Sequence, residues 1–178
     1  MLEQEFVSRL ASPVSKRDHM LGDINAPIII VEYGDYQCPF CAAAYVQMKR
    51  LRAEVSLTDM CYVFRNFPLK QAHPNAQHAA EAAEIAGEFG KFWEMHGLLF
   101  ENQGALDDHS LAGYAKSLGI DHHKFESALT SHTHAQRVHE DFMSGVRSGV
   151  NGTPSFFVNN VRFDGSVIEL VAAIEADL

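Results

Sequence analysis

Cys38 and Cys41 are separated by Pro39 and Phe40. At this spacing two thiols can close a small disulfide or supply half of a metal site. Pro39 suits a first helical turn, where its missing N–H costs nothing. Cys38 then sits at a helix mouth, where unpaired N–H groups and the helix dipole gather partial positive charge. A thiolate gains from that setting, and cysteines so placed have pKa values of about 3.5–7.5 instead of ~8.5. Each unit is worth ~1.4 kcal/mol of preference for the thiolate. Cys41 lies one turn further in and is less exposed. Labour divides accordingly: Cys38 exchanges with a substrate sulfur, and Cys41 resolves the intermediate or closes the intramolecular bond. Two other readings stand beside this one. A zinc site wants four ligands, and the lone Cys61 brings no second pair. Two inert core cysteines fit poorly with a proline that starts a helix between them.

Two further features belong with the pair. Glu32 is an acid in an otherwise apolar run, six residues before Cys38. Buried, it would have a raised pKa and could accept the proton that Cys41 must lose. At a strand end it would simply face solvent. Gly152-Thr153-Pro154 precedes a second apolar run. A proline entering a strand can be cis and expose backbone groups at its start, or it can make an ordinary trans turn.

The elements that position these residues follow from hydrophobic period and breakers. Leu2, Phe6, Val7 and Leu10 fall on one helical face, which predicts a short leading helix. Ile28–Tyr33 reads as a central strand covered on both faces. After Gly34-Asp35-Tyr36 comes a helix to about Ala53, with Phe40, Ala44, Met48, Leu51 and Val55 as its buried stripe. Met60–Asn66 is a second strand. From 75 to 148 the pattern is helical, four or five helices, with Ser110 and Asp121 as caps and Glu81, Glu84 and Glu88 on a wet face. A hairpin follows around Asn159-Asn160, then a last helix at Ser166 with a capping box to Glu169. The order predicts an α/β fold: a mixed sheet with central parallel strands and a C-terminal antiparallel hairpin, helices on both sides.

Glu32 through Cys41 (EYGDYQCPFC), with Gly149–Asn159 (GVNGTPSFFVN) far downstream, resembles the DsbA-like branch of the thioredoxin fold. The likeness covers essentially the whole chain after about residue 18. His19–Pro27 and Phe64–Leu69 are similar to the small bacterial members. The resemblance implies a thioredoxin-like domain from 1–68 and 149–178, with 1–20 as an extension and 69–148 as a helical insertion. It implies that Cys38 is the nucleophile, Cys41 its partner, Glu32 the buried acid and Pro154 the cis-proline against the disulfide. Thr153 would pair with a bound peptide's backbone, and Pro39 and Phe40 would border the substrate. Substrates would be cysteine-containing polypeptides or small thiols such as glutathione. The cysteine pair is itself the redox group, so no cofactor or metal is expected. Phe40 stands where several strong oxidants carry a histidine, and Thr153 also occurs in isomerase-type relatives. The direction of electron flow therefore stays open between disulfide donor and reductase. A non-catalytic peptide-binding module is the other alternative.

The 178 residues carry a formal charge of −9, which argues against binding a phosphate backbone. Hydrophobic residues make up 47% and charged residues 21%, values that exclude a disordered chain. No apolar run nears the ~18 residues of a membrane helix, so no membrane insertion is expected. The first residues lack a basic start followed by an apolar stretch, which predicts a cytoplasmic protein, or a periplasmic or other extracytoplasmic one if a leader has been removed. Without the dimerisation domain of the isomerases, a monomer is expected. Of the ten histidines, His122, His123, His132, His134 and His139 lack clean ligand spacing and are expected to face solvent, and His73 and His78 to cap a helix start or pair locally. Trp93, Leu99 and Phe100 are expected to pack the insertion's core, and Met95 either to join them or to border a groove. Cys61 is expected to be a buried small hydrophobe.

Overall fold

Ile28–Gly34 (β2) is almost wholly apolar, and it occupies the middle of the sheet. The computed structural model describes residues 8–177. Among these, five strands form one sheet in the order β1-β3-β2-β4-β5, with β1 at His19–Leu21, β3 at Met60–Asn66, β4 at Ser155–Val158 and β5 at Val161–Phe163. β2 and β3 run parallel, with Glu32 opposite Phe64. The β4–β5 hairpin is antiparallel and turns on Asn159 and Asn160 at φ 47° and 73°. Positive φ at both central residues is what a type I′ turn requires, and asparagine tolerates it. The mixed sheet expected from the sequence is present.

Alternation along β2 sends its side chains into two cores. Ile30 joins Tyr62, Phe64 and Phe156 on one face, under Met48 and Leu51 of α1 (Pro39–Glu54) and Leu170 and Ile174 of α7 (Val167–Asp177). Val31 and Tyr33 join Val63 and Phe157 on the other, with Leu10, Val150 and Phe142. Five helices separate β3 from β4: α2 (Ala76–Glu88), α3 (Phe92–Glu101), α4 (Asp108–Ser117), α5 (His122–Thr130) and α6 (Ala135–Arg147). Met95, Leu99 and Phe100 are buried in their core. All of β3 is buried, Arg65 included. That guanidinium is paired with Asp18 at 2.8 Å and donates to the Tyr33 hydroxyl and the carbonyls of Ser12 and Pro13. A buried charge needs such a full set of partners.

Several expectations are corrected. The leading helix lies mostly outside the described residues, but Arg9 is bridged to Val161 and Leu10 N–H donates to Asn160 O at 3.1 Å. This stretch is extended because its backbone groups pair beside β5. The sequence did not indicate β1, whose three residues are too short for a period. The buried stripe of α1 is Cys41, Ala44, Tyr45, Met48 and Leu51, whereas Phe40 is 73% exposed. The cap of α4 is Asp107, to which Ser110 is the donor. Asp121 caps α5, and Ser166 with Glu169 forms the capping box of α7. Glu81 and Glu84 are buried, not wet, because His132 pairs with the first and His19 with the second. The histidines therefore mostly pair with carboxylates, and His96 is buried outright.

Candidate active site

The turn between β2 and α1 is held from several sides. The buried Asp35 carboxylate accepts from Gln37 N–H and Leu69 N–H, each at 2.8 Å, and lies 2.8 Å from His73 Nδ1. Gln37 Oε1 accepts from Asn75 N–H at 2.8 Å. The Tyr36 ring packs against Phe64, Phe100 and His96, and its hydroxyl is 3.0 Å from His96 Nδ1. Burial holds that imidazole neutral, well below its ordinary pKa. From the α3–α4 connection, Gln103 Nε2 donates to the carbonyls of Tyr36 at 2.8 Å and Cys38 at 2.9 Å.

Cys38 is the N-cap of α1, with extended backbone at φ −76° and ψ 122°, and Pro39 is the first helical residue. Both cysteines are free thiols and buried. The Cys38 sulfur lies 3.5 Å from the Thr153 carbonyl. Asp35 N–H donates to the Cys41 sulfur at 3.5 Å. The Cys38 pKa is lowered from 9.0 to about 5, chiefly by the hydrogen bond from the Cys41 thiol, with burial opposing. Backbone N–H groups of the first turn contribute to the lowering. The Cys41 pKa is pushed well above 9.0, first by burial and then by its role as that donor. One thiol is thus ready as a thiolate while its neighbour keeps its proton.

Glu32 is 1% exposed. Its Oε2 accepts from the Tyr62 hydroxyl at 2.6 Å, and its Oε1 has no partner among the described residues. Burial raises its pKa from 4.5 to about 7, against the lowering effect of Tyr62 and Arg52. Its charge in turn helps raise the Cys41 pKa, so the two groups share one electrostatic neighbourhood.

The Thr153–Pro154 bond is cis, and Thr153 supplies the carbonyl facing Cys38. Pro39 and Phe40 are exposed beside the pair. The structure therefore brings Cys38, Cys41, Thr153 and Pro154 to one place, with Glu32 behind them and Pro39 and Phe40 at the surface. Cys61 lies apart, buried in the second core. Among the described residues, no group of three or more His, Cys, Asp or Glu side chains is placed to hold a metal. Sequence reasoning missed Tyr62, Asp35 and Gln103. Tyr62 could have been found from strand parity once Glu32 is set opposite Phe64. Gln103 carries no local signal, since it meets the turn across 65 residues of chain.

The model of the thioredoxin family matches residues 14–176, and the chain belongs to that family. Its fold is that of the DsbA-like thiol–disulfide oxidoreductases. The oxidised crystal structure of BdbD from Bacillus subtilis superposes with a TM-score of 0.82 at 25% identity, covering 96% of this chain and 97% of that one. The thiol-disulfide exchange protein alpha-DsbA2 from Wolbachia pipientis gives 0.75 at 21% identity, covering 92% and 89%. Among curated sequences, the Na(+)/H(+) antiporter NhaA 1 of Salinispora arenicola is 46% identical over 158 residues, 88% of this chain and 24% of the antiporter. NhaA 1 of Mycolicibacterium vanbaalenii is 39% identical over 173 residues, 94% of this chain and 28% of the antiporter. The chain spans about a quarter of the length of these relatives. The expectation of a cytoplasmic protein falls here. It rested on the first residues alone, and the relatives are named as antiporters, proteins of a membrane, so those residues do not fix the compartment. No described helix is long and apolar enough to cross a membrane.

Proposed function

We propose that this protein catalyses thiol–disulfide exchange with cysteine-containing polypeptides or small thiols such as glutathione, using Cys38 and Cys41 as its redox group without a further cofactor. The observation that carries this reading is the placement of the two thiols: Cys38 is the N-cap of α1 with its sulfur 3.5 Å from the Thr153 carbonyl, and Cys41 is buried one turn behind it, an arrangement that lowers the pKa of the first and raises that of the second. In the oxidised protein, a substrate thiolate attacks the Cys38 sulfur and breaks the bond to Cys41. Cys41 leaves as a thiolate and takes the proton held by Glu32. A second substrate thiolate then attacks the substrate sulfur of the mixed disulfide. The substrate leaves oxidised, and Cys38 leaves as the stabilised thiolate. The reverse sequence reduces a substrate disulfide, with Cys38 attacking first and Glu32 accepting the Cys41 proton. A low leaving-group pKa speeds release from Cys38 and favours the direction that donates the disulfide. Thr153 and cis-Pro154 would align an extended peptide beside the sulfur, and Phe40 would offer it an apolar contact. The thioredoxin-like part would be 1–68 with 149–178, and 69–148 its insertion. Antiport belongs to the relatives so named and is not part of this reading.

The test is the equilibrium reduction potential of the pair, measured in glutathione buffers with trapping of free thiols. A potential near or above about −150 mV means a disulfide donor, and one near or below about −250 mV a reductant. A pair that does not titrate at all overturns the assignment and leaves a peptide-binding module.

A further inference from the structure

Among the insertion's contacts with the redox turn, the Gln103 side chain reaches the backbone carbonyls of Tyr36 and Cys38. This half-buried side chain places one amide nitrogen between two carbonyls, Tyr36 O at 2.8 Å and Cys38 O at 2.9 Å. The Cys38 carbonyl is also where α1 begins, for it accepts from Cys41 N–H at 3.1 Å and Ala42 N–H at 3.2 Å. Three donors thus converge on the peptide group that carries the nucleophile. The side chain of the neighbouring Asn102 turns back to its own helix end and donates to Leu98 O at 2.8 Å. A surface glutamine has a flexible, high-entropy side chain, and ordering it across the fold must be repaid by its bonds. The amide carries no net charge and lies on the carbonyl side of Cys38, so it cannot act on the sulfur directly. What it can do is fix the peptide planes of residues 36–38.

We propose that Gln103 is a positioning residue for thiol–disulfide exchange, clamping the Tyr36 and Cys38 carbonyls so that the first turn of α1 keeps its donors aimed at the Cys38 sulfur. This rests on the redox reading above. The donors in question are the Cys41 thiol and the backbone N–H groups of Phe40 and Cys41. Their effect depends on alignment, since a hydrogen bond weakens steeply as its angle closes. Without the clamp the peptide planes of residues 36–38 relax, the thiolate loses part of its support, and the disulfide becomes the more stable form. The Gln103 amide is then one means by which the insertion tunes the poise of the pair, at a place where it touches no substrate.

The test uses Gln103→Met, which keeps length and removes the donor, and Gln103→Glu, which sets a carboxylate against the two carbonyls. Asn102→Ala disturbs the same connection without touching the turn. Two quantities are read: the pH midpoint of thiolate absorbance at 240 nm, and the equilibrium constant with glutathione. In both Gln103 variants the acid dissociation constant of Cys38 should fall by about threefold or more, the scale of one net hydrogen bond. The glutathione equilibrium should move toward the protein disulfide by a similar factor, while Asn102→Ala leaves both unchanged. Should Gln103→Met not fold, Gln103→Leu, which likewise removes the donor without adding charge, carries the test. A wild-type pair that titrates while either folded variant matches it overturns the clamp, even if its melting temperature drops. Should the wild-type pair not exchange with glutathione at all, the redox reading fails first and the clamp falls with it.

Discussion

Replacing Glu32 with glutamine should stabilise the reduced protein in alkali and weaken it slightly in acid. The carboxyl is 1% exposed and its pKa is raised from 4.5 to about 7 by burial. The native state therefore holds this proton more tightly than the unfolded chain. Well below pH 4.5 both states are protonated and burial carries no ionisation cost. As pH rises through 4.5 to about 7 the unfolded chain releases its proton first, and stability falls. Above that window the full cost is present, about 3 kcal/mol for a shift of this size. Glutamine never ionises, so Glu32→Gln removes the cost. Its carbonyl can accept from Tyr62, but its amide lies where Oε1 already lacks a partner, at a penalty of about 1 kcal/mol. The variant should thus be about 1 kcal/mol less stable at pH 4.5 and about 2 kcal/mol more stable at pH 8.5. Urea unfolding under reducing conditions at the two pH values measures the difference. The Cys38 ionisation is common to both proteins and largely cancels. A difference that stays constant with pH would falsify the account of Glu32 as a desolvated acid. The same variant should slow exchange, because the Cys41 proton loses its acceptor.

Thiolate absorbance of the reduced protein should titrate with a midpoint near pH 5, and Cys41→Ala should move it upward because the largest stabilising donor is gone. Gly34→Ala would set a Cβ 2.5 Å from Phe64 Cε2 and 3.2 Å from Glu32 Oε1, so a loss of about 1–3 kcal/mol in denaturant is expected. Arg65→Met leaves Asp18 without its buried partner and should cost about 3–5 kcal/mol, read by thermal or urea unfolding. Phe40→Ala should change stability by under about 0.5 kcal/mol, since the ring is 73% exposed, while raising KM for a peptide thiol.

What the sequence disclosed was whatever depends on neighbours along the chain. The apolar run of β2, the proline at the start of α1 and the Asn159-Asn160 turn are all local, and the sheet's centre and its hairpin were legible from them. The cysteine pair was legible for the same reason, since a helix mouth is defined by its own residues. The acids of α2 were not. Their spacing reads as a wet face, and only His19 and His132, brought from distant segments, make their burial tolerable. Phe40 misled for a related reason: it shares a period with Ala44, yet the stripe begins one residue later at Cys41. Tyr62 and Gln103 belong to a third kind, residues whose meaning depends on register or on a crossing of the whole fold.

The order of the strands has a consequence for the chain as it is made. β2 finds β3 early, since about thirty residues separate Ile30 from Tyr62. Its other edge waits for β4, where Ile30 meets Val158. On a ribosome, all five insertion helices emerge before that edge can close. A bare central strand of isoleucine and valine is an invitation to pair with another chain. The α2–α6 segment can fold on local contacts in the meantime, which brings residues 149–158 back toward the sheet. The nascent protein is therefore most exposed to aggregation between the synthesis of β3 and β4, and a holdase that shields strand edges should matter most in that interval.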